Sequence, residues 1–190
     1  MKRFILAALA LGFCICASAG SPKPALRLGW SMSPVTTASH FGEESARHLR
    51  ELQYLYKDYH TDVRSTGNFN LAFDMEFNEW LTGSIYLAYA GFDTDRFDGH
   101  TGEKTGEIKG QAFFIVPHVR FTYYNTEHFR AYGTLGAGYC RYAGFENRSG
   151  SGVIQFNPAG VEYGRKLFCY AELGFGTMFF GGHIGVGYKF

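Results

Sequence analysis

Phe69-Asn70-Leu71-Ala72-Phe73-Asp74-Met75-Glu76-Phe77 alternates without a break, apolar at every odd position and small or polar at every even one. A period of two puts successive side chains on opposite faces of an extended strand, so the stretch predicts a β-strand with one greasy face. The same period recurs. Leu81, Gly83, Ile85, Leu87 and Tyr89 stand against Thr82, Ser84, Tyr86 and Ala88. Phe113, Ile115, Pro117, Val119, Phe121 and Tyr123 stand against Phe114, Val116, His118, Arg120 and Thr122. Phe129, Ala131, Leu135, Ala137 and Tyr139 oppose Arg130, Tyr132, Thr134, Gly136 and Gly138. The stretch 153–165 is less regular, with Ala159, Val161 and Tyr163 opposite Gly160 and Glu162. Leu167, Ala171, Leu173 and Phe175 then oppose Tyr170, Glu172 and Gly174, and Phe180, Ile184, Val186, Tyr188 and Phe190 oppose His183, Gly185, Gly187 and Lys189. With Leu26, Leu28, Trp30 and Met32 against Arg27, Gly29 and Ser31, the pattern predicts eight strands and an all-β fold.

Composition agrees with one ordered domain. The 190 residues carry 18 Lys+Arg against 17 Asp+Glu, a balance of +1 that argues against a nucleic-acid binder working by bulk charge. A 46% hydrophobic and 18% charged chain is not a disordered one, and four Cys do not make a disulfide scaffold. Gly, at 25 residues, is roughly twice its usual share.

The first residues read as an address. Lys2 and Arg3 precede an apolar run from Phe4 to Ala17, and Ala17-Ser18-Ala19 offers the small residues a signal peptidase reads. Residues 1–19 are therefore expected to be a cleaved secretory signal and residues 20–190 the mature domain. The run is shorter than the ~20 apolar residues a spanning helix needs. Two cysteines remain in the mature chain, Cys140 and Cys169; the alternation puts them on opposite faces of a sheet, so no disulfide is expected.

Alternation alone does not say which face is outside: a ligand-carrying soluble barrel turns its apolar set inward, a membrane barrel outward. Three features favour outward. The polar set is small and often Gly, which suits the crowded interior of eight strands. Rings end most apolar sets, with Phe77, Tyr123, Phe129, Tyr163 and Tyr188 at one end and Phe69, Tyr89, Phe113, Tyr139 and Phe180 at the other. Connections also alternate in length, long or polar at about 33–67, 93–110 and 144–151 and tight at 78–80, 124–127 and 164–167. Short inner turns and longer outer loops are the outer-membrane arrangement.

At this point the chain resembles the small eight-stranded outer-membrane β-barrel proteins of Gram-negative bacteria, of the OmpA-transmembrane, OmpX and OmpW type. The terminus His183-Ile184-Gly185-Val186-Gly187-Tyr188-Lys189-Phe190 carries the resemblance most clearly. Its final Phe, with Ile184, Val186 and Tyr188 at alternate positions before it, is similar to the signal read by the barrel-insertion machinery. The resemblance covers about 25–190 and implies an eight-stranded antiparallel transmembrane β-barrel in the outer membrane. The first loop is unusually long for that group, and no periplasmic domain follows Phe190, so a peptidoglycan anchor is not expected.

Outward apolar faces bring Asp74, Glu76, Glu162 and Glu172 inside with Arg27, Arg120, Arg130 and Lys189, and His118 and His183 face the same space. Four acids against four bases predict an interlocked ion-pair network in a plugged lumen, since a lone buried charge costs far more than a paired one. The alternatives are a narrow porin-like channel or a transporter of small apolar solutes, as in the OmpW-like group. Some barrels of this size are lipid A deacylases or palmitoyltransferases. No His-x-Ser occurs here, however, and the carboxylates have structural partners, so no catalytic residues are assigned. His40, His48, His60, His100, His118, His128 and His183 lack tight metal spacing, and no cofactor or metal is expected. Gly133, Gly136 and Gly138 sit within a strand, where close packing explains them better than a phosphate loop.

The first outer loop carries the last signal. In residues 43–59, Leu49, Leu52, Leu55, Tyr56 and Tyr59 fall at helical spacing behind Glu43 and Glu44, which predicts a short helix. That face either caps the barrel mouth or receives an extracellular partner. The stretch 93–110 reads as a mobile polar loop, with Asp93, Asp95 and Asp98 as a second-choice cation site. The expected protein is a non-enzymatic envelope protein in contact with outer-membrane lipid, its outer loops facing the medium.

Overall fold

The alternation of 69–77 is realised as a strand to Glu76, with Asn70, Ala72 and Asp74 buried, Glu76 half-buried, and the odd residues facing outward. A computed structural model describes residues 23–32, 59–98, 101, 103–143 and 150–190. Eight strands form within them: β1 (Lys23–Ser31), β2 (Tyr59–Glu76), β3 (Leu81–Phe97), β4 (Lys104–Asn125), β5 (Phe129–Ala143), β6 (Gly150–Gly164), β7 (Leu167–Gly176) and β8 (Gly181–Lys189). Each pairs antiparallel with the next, and β1 also pairs with β8 through Ala25↔Lys189 to Ser31↔His183, which closes a barrel in sequence order. Closure removes the two unpaired edges that an open sheet would leave.

The barrel has two unlike ends. The turns 77–80, 126–128 and 165–166 lie at the end that also holds Lys23 and Phe190, called here the turn end. Ser31, Tyr59, Phe97, Lys104, Ala143, Gly150 and the stretch after Gly176 lie at the other end, called here the loop end. Wall height is uneven around the circumference. β1, β7 and β8 have 9, 10 and 9 residues, whereas β2, β3 and β4 have 18, 17 and 22.

That height corrects two expectations. Residues 93–97 and 104–110 are not loop but the upper part of the β3–β4 hairpin, laddered from Asp93↔Lys109 to Phe97↔Lys104. Tyr59 is not the end of a helix but the first residue of β2, paired with Phe97. The rest of the predicted helix, with Leu49, Leu52, Leu55 and Tyr56, lies outside the described residues, as does the predicted signal at 1–19.

The register shifts at several places, and two of these bear on the interior and the outer face. In β6, Pro158 and Ala159 face outward in succession, and the register to β7 shifts between Phe156 and Ala159. Inward residues are therefore odd before the bulge (Val153, Gln155, Asn157) and even after it (Gly160, Glu162). In β2 the register to β3 shifts between Ser65 and Asn68, where Gly67 takes φ of 77° beneath the Trp30 indole. Trp30 Nε1 donates to the Thr66 carbonyl at 3.0 Å, so the ring is clamped over a backbone that only Gly adopts easily.

Candidate functional site

The interior of the barrel is the densest collection of polar groups, and it divides into two layers. The layer nearer the turn end is ionic. Arg27 on β1 lies 2.8 Å by Nε from Asp74 Oδ2 on β2 and 3.0 Å by Nη1 from Glu172 Oε1 on β7. Asp74 also accepts from Arg120 Nη2 on β4 at 2.7 Å. Arg120 Nη1 stands 3.6 Å from Glu162 on β6, and Glu162 pairs with Lys189 on β8. Six of the eight predicted residues thus form one chain of alternating charge, Glu172–Arg27–Asp74–Arg120–Glu162–Lys189. Glu76 and Arg130 form a separate pair, 2.7 Å apart and half-buried towards the turn-end mouth. That mouth holds a cavity of about 160 Å³ bordered by Glu76, Arg130, Glu162 and Lys189.

Sequence reasoning brought the charges to one space but missed what saturates them. Glu172 is fully enclosed and takes four donors: Arg27, Tyr132 OH at 2.9 Å, Asn157 Nδ2 at 2.9 Å, and His183 Nδ1 at 3.0 Å. His183 is held in turn by Asn70 and by Tyr170 OH at 3.2 Å. Rings complete the shell, with the Arg27 guanidinium 5.0 Å from the centroids of Tyr86 and Tyr170 and that of Arg120 4.4 Å from Tyr132. The inward parity of Tyr86, Tyr132 and Tyr170 was the available signal for these partners; Asn157 lies before the β6 bulge, where parity points the other way. A carboxylate with four donors in a sealed space has no lone pair left for acid–base work, so this geometry performs structural neutralisation.

The layer nearer the loop end is apolar, which the sequence reading did not anticipate. Phe92, Phe114, Val116, Tyr142, Val153, Met178 and Phe179 are buried there in one cluster. Met178 and Phe179 come from the connection between β7 and β8 and fold inward over the ionic layer; the Phe179 ring lies tilted against His183 with centroids 5.3 Å apart. The glycines of β5 serve packing: the His118 imidazole occupies the space a side chain at Gly136 would need. His118 lies on Tyr86 with centroids 4.3 Å apart.

Outside, the apolar set forms a continuous belt. Thirty-two large apolar side chains are exposed among the described residues, far beyond the few-hundred-Å² patches of water-soluble monomers. The terminal residues Ile184, Val186, Tyr188 and Phe190 all belong to this belt, with Tyr188 and Phe190 in edge contact at 5.3 Å. Cys140 is buried inside the barrel and Cys169 is exposed outside it, so the wall separates them.

Above the rim, the β3–β4 hairpin carries a charge cluster. Lys104 Nζ lies 2.7 Å from Asp95 and 3.0 Å from Glu107, with Arg64 3.6 Å from Asp95. The Lys104 hydrogen bond holds the Asp95 carboxyl below its ordinary value. Asp98 accepts from the Thr101 amide at 3.0 Å and organises the hairpin turn. Among the described residues no group of three or more His, Cys, Asp or Glu is placed to hold a metal ion.

No protein-family model matches the chain, and no curated protein matches it in sequence.

Proposed function

We propose that this chain is an exported, integral outer-membrane barrel with a closed lumen, acting as a non-enzymatic envelope protein that presents its loops to the medium. The observation that carries the reading is the inversion of sides: an apolar belt all round the outside and a neutralised ionic layer within. Water would favour the reverse, whereas hydrocarbon requires this arrangement and a wall with every backbone group paired. The shortest strands, 9 to 10 residues, have the length a tilted strand needs to cross a bilayer. On this reading the turn end faces the periplasm, the outward residues of β8 are read by the barrel-insertion machinery, and residues 43–59 are the surface offered to an extracellular partner.

Two filled layers support a closed lumen over a channel or a transporter of small apolar solutes. The test is a fractionation followed by paired gels. The expected result is protein in the outer-membrane fraction that migrates differently before and after boiling, with a mature N-terminus near Gly20. In planar bilayers it is expected to give no reproducible conductance steps. Soluble periplasmic protein without a mobility shift would overturn the membrane reading; steady single-channel steps would overturn the closed lumen.

A further inference from the structure

The belt on the outside is not uniform. Phe69, Tyr89, Phe113 and Arg141 are register partners across β2 to β5 and form one row of outward side chains. One step nearer the turn end, Leu28, Leu71, Leu87, Ile115 and Tyr139 form a second row across β1 to β5. Outward neighbours along a strand are about 6.6 Å apart, so the two rows stand as the walls of a groove. Its floor is the backbone of Gly29, Asn70, Ala88 and Phe114; the side chains of the last three turn inward and Gly29 has none. The groove encloses about 750 Å³ and crosses five strands, a run of about 19 Å at the usual strand spacing. Narrow, long and apolar, it has the shape of a fatty acyl chain.

One end of the groove differs from the rest. Arg141 closes it, exposed, its guanidinium pairing with no acidic side chain among the described residues. Every cation of the inner ionic layer has an acid within 4.0 Å, so the contrast is a property of this position. A basic side chain on the hydrocarbon face is unfavourable unless it reaches the interface or an anion. The groove also slopes. Leu28 lies five residues beyond the turn-end residue Lys23 of β1, whereas Tyr139 lies ten beyond Phe129, the corresponding residue of β5. The row climbs towards Arg141, which is two residues from the loop-end limit of its strand at Ala143.

We propose that this groove binds an anionic lipid of the outer leaflet, lipid A, with one acyl chain between the two rows and a phosphate on Arg141. The proposal rests on the membrane reading above, which fixes the loop end as the outer one. Guanidinium and phosphate match as a two-bond fork, and Tyr89 and Tyr139 add hydroxyls to the groove walls. A phospholipid of the inner leaflet would place its headgroup at the opposite, apolar end of the groove.

The test uses the full mature protein in neutral detergent. Binding of lipid A, dephosphorylated lipid A, phosphatidylglycerol and phosphatidylcholine is titrated by native mass spectrometry, with the unboiled-gel mobility recorded for every variant. Lipid A is expected to bind most tightly. Arg141→Gln is expected to weaken it about tenfold, and Leu87→Trp, which fills the groove, to weaken both phosphorylated and dephosphorylated forms. Equal binding of lipid A by wild type and Arg141→Gln, or equal binding of phosphatidylglycerol, would overturn the proposal while a normal mobility shift left the barrel reading standing. Loss of the shift in the wild type would instead remove the membrane reading itself.

Discussion

Replacing Arg27 by Met removes the one guanidinium that joins β1 to both β2 and β7. Three contacts go, at 2.8, 3.1 and 3.0 Å, from a side chain with no exposed surface. The consequences for its two acids differ. Asp74 keeps Arg120 at 2.7 Å; Glu172 keeps His183, Tyr132 and Asn157 but loses its arginine. Breaking a buried pair from one side costs 3–5 kcal/mol, and the remaining donors put this case at the lower limit, about 3 kcal/mol. Arg130 supplies the internal comparison. Its pair with Glu76 is as short, at 2.7 Å, but both side chains are about one-fifth exposed at the mouth. Solvent screening brings the cost of Arg130→Met to about 1 kcal/mol or less. The assay is equilibrium urea unfolding of the folded protein in detergent micelles, followed by the emission of Trp30 and Trp80 and by gel mobility. Adding Glu172→Gln to Arg27→Met removes the uncompensated charge and is expected to restore at least about 1 kcal/mol. Equal losses for Arg27→Met and Arg130→Met, or no recovery in the double variant, would refute the view that burial of a neutralised chain of charges stabilises this interior.

Three further outcomes follow from other parts of the molecule. Gly67→Val combines a φ of 77° with a side chain driven into the Trp30 ring; it is expected to cost about 1–3 kcal/mol or more in the same urea assay, with the Trp30 emission altered. Phe179→Ala opens only the apolar layer, so bilayer recordings should stay silent until Arg27→Ala and Glu172→Ala are added; conductance from Phe179→Ala alone would show that the ionic layer does not seal. The Asp95 carboxyl is held below its ordinary 3.8 by Lys104, so the pair contributes at neutral pH and is lost as pH falls through the lowered value. Carbon NMR of the carboxyl should find its midpoint below 3.8, moving up in Lys104→Gln; a midpoint at or above 3.8 in the wild type would contradict the geometry.

The strands were legible where one face was apolar and the other was not, as at 69–77. Reading weakened wherever that contrast failed, for three separate physical reasons. At Phe113-Phe114-Ile115-Val116 both faces are apolar, because the inner one fills the layer beneath the loop end; the four residues alone carry no contrast, and only the phase of His118 and Arg120 further along the strand sets Phe114 inward and Phe113 outward. Beyond Asp93 the reverse holds. The hairpin is polar on both faces, and the strand is maintained by its ladder and by Lys104 between Asp95 and Glu107, so nothing in the spacing separates it from loop. In 153–165 the outward pair Pro158 and Ala159 flips the phase midway, which is why the alternation reads as irregular there. The eight charges were legible from parity alone. Their hydrogen-bonding shell was legible only in part: Tyr132 and Tyr170 share the inward parity, whereas Asn157 lies before the bulge, and Met178 and Phe179 of the layer above come from a connection rather than a strand.

The path of the ionic chain has a consequence for assembly. Its links run β7–β1, β1–β2, β2–β4, β4–β6 and β6–β8, so nearly every bond skips a neighbour, and the β7–β1 link reaches across the seam where the first strand meets the last. Until that seam shuts, Arg27 has only Asp74 and Glu172 lacks its arginine. A slip of one residue between β1 and β8 would turn Arg27 to the outside and leave Glu172 facing an apolar wall. Mis-zipped barrels are thereby penalised at the last step, and the newly made chain can audit its own joint.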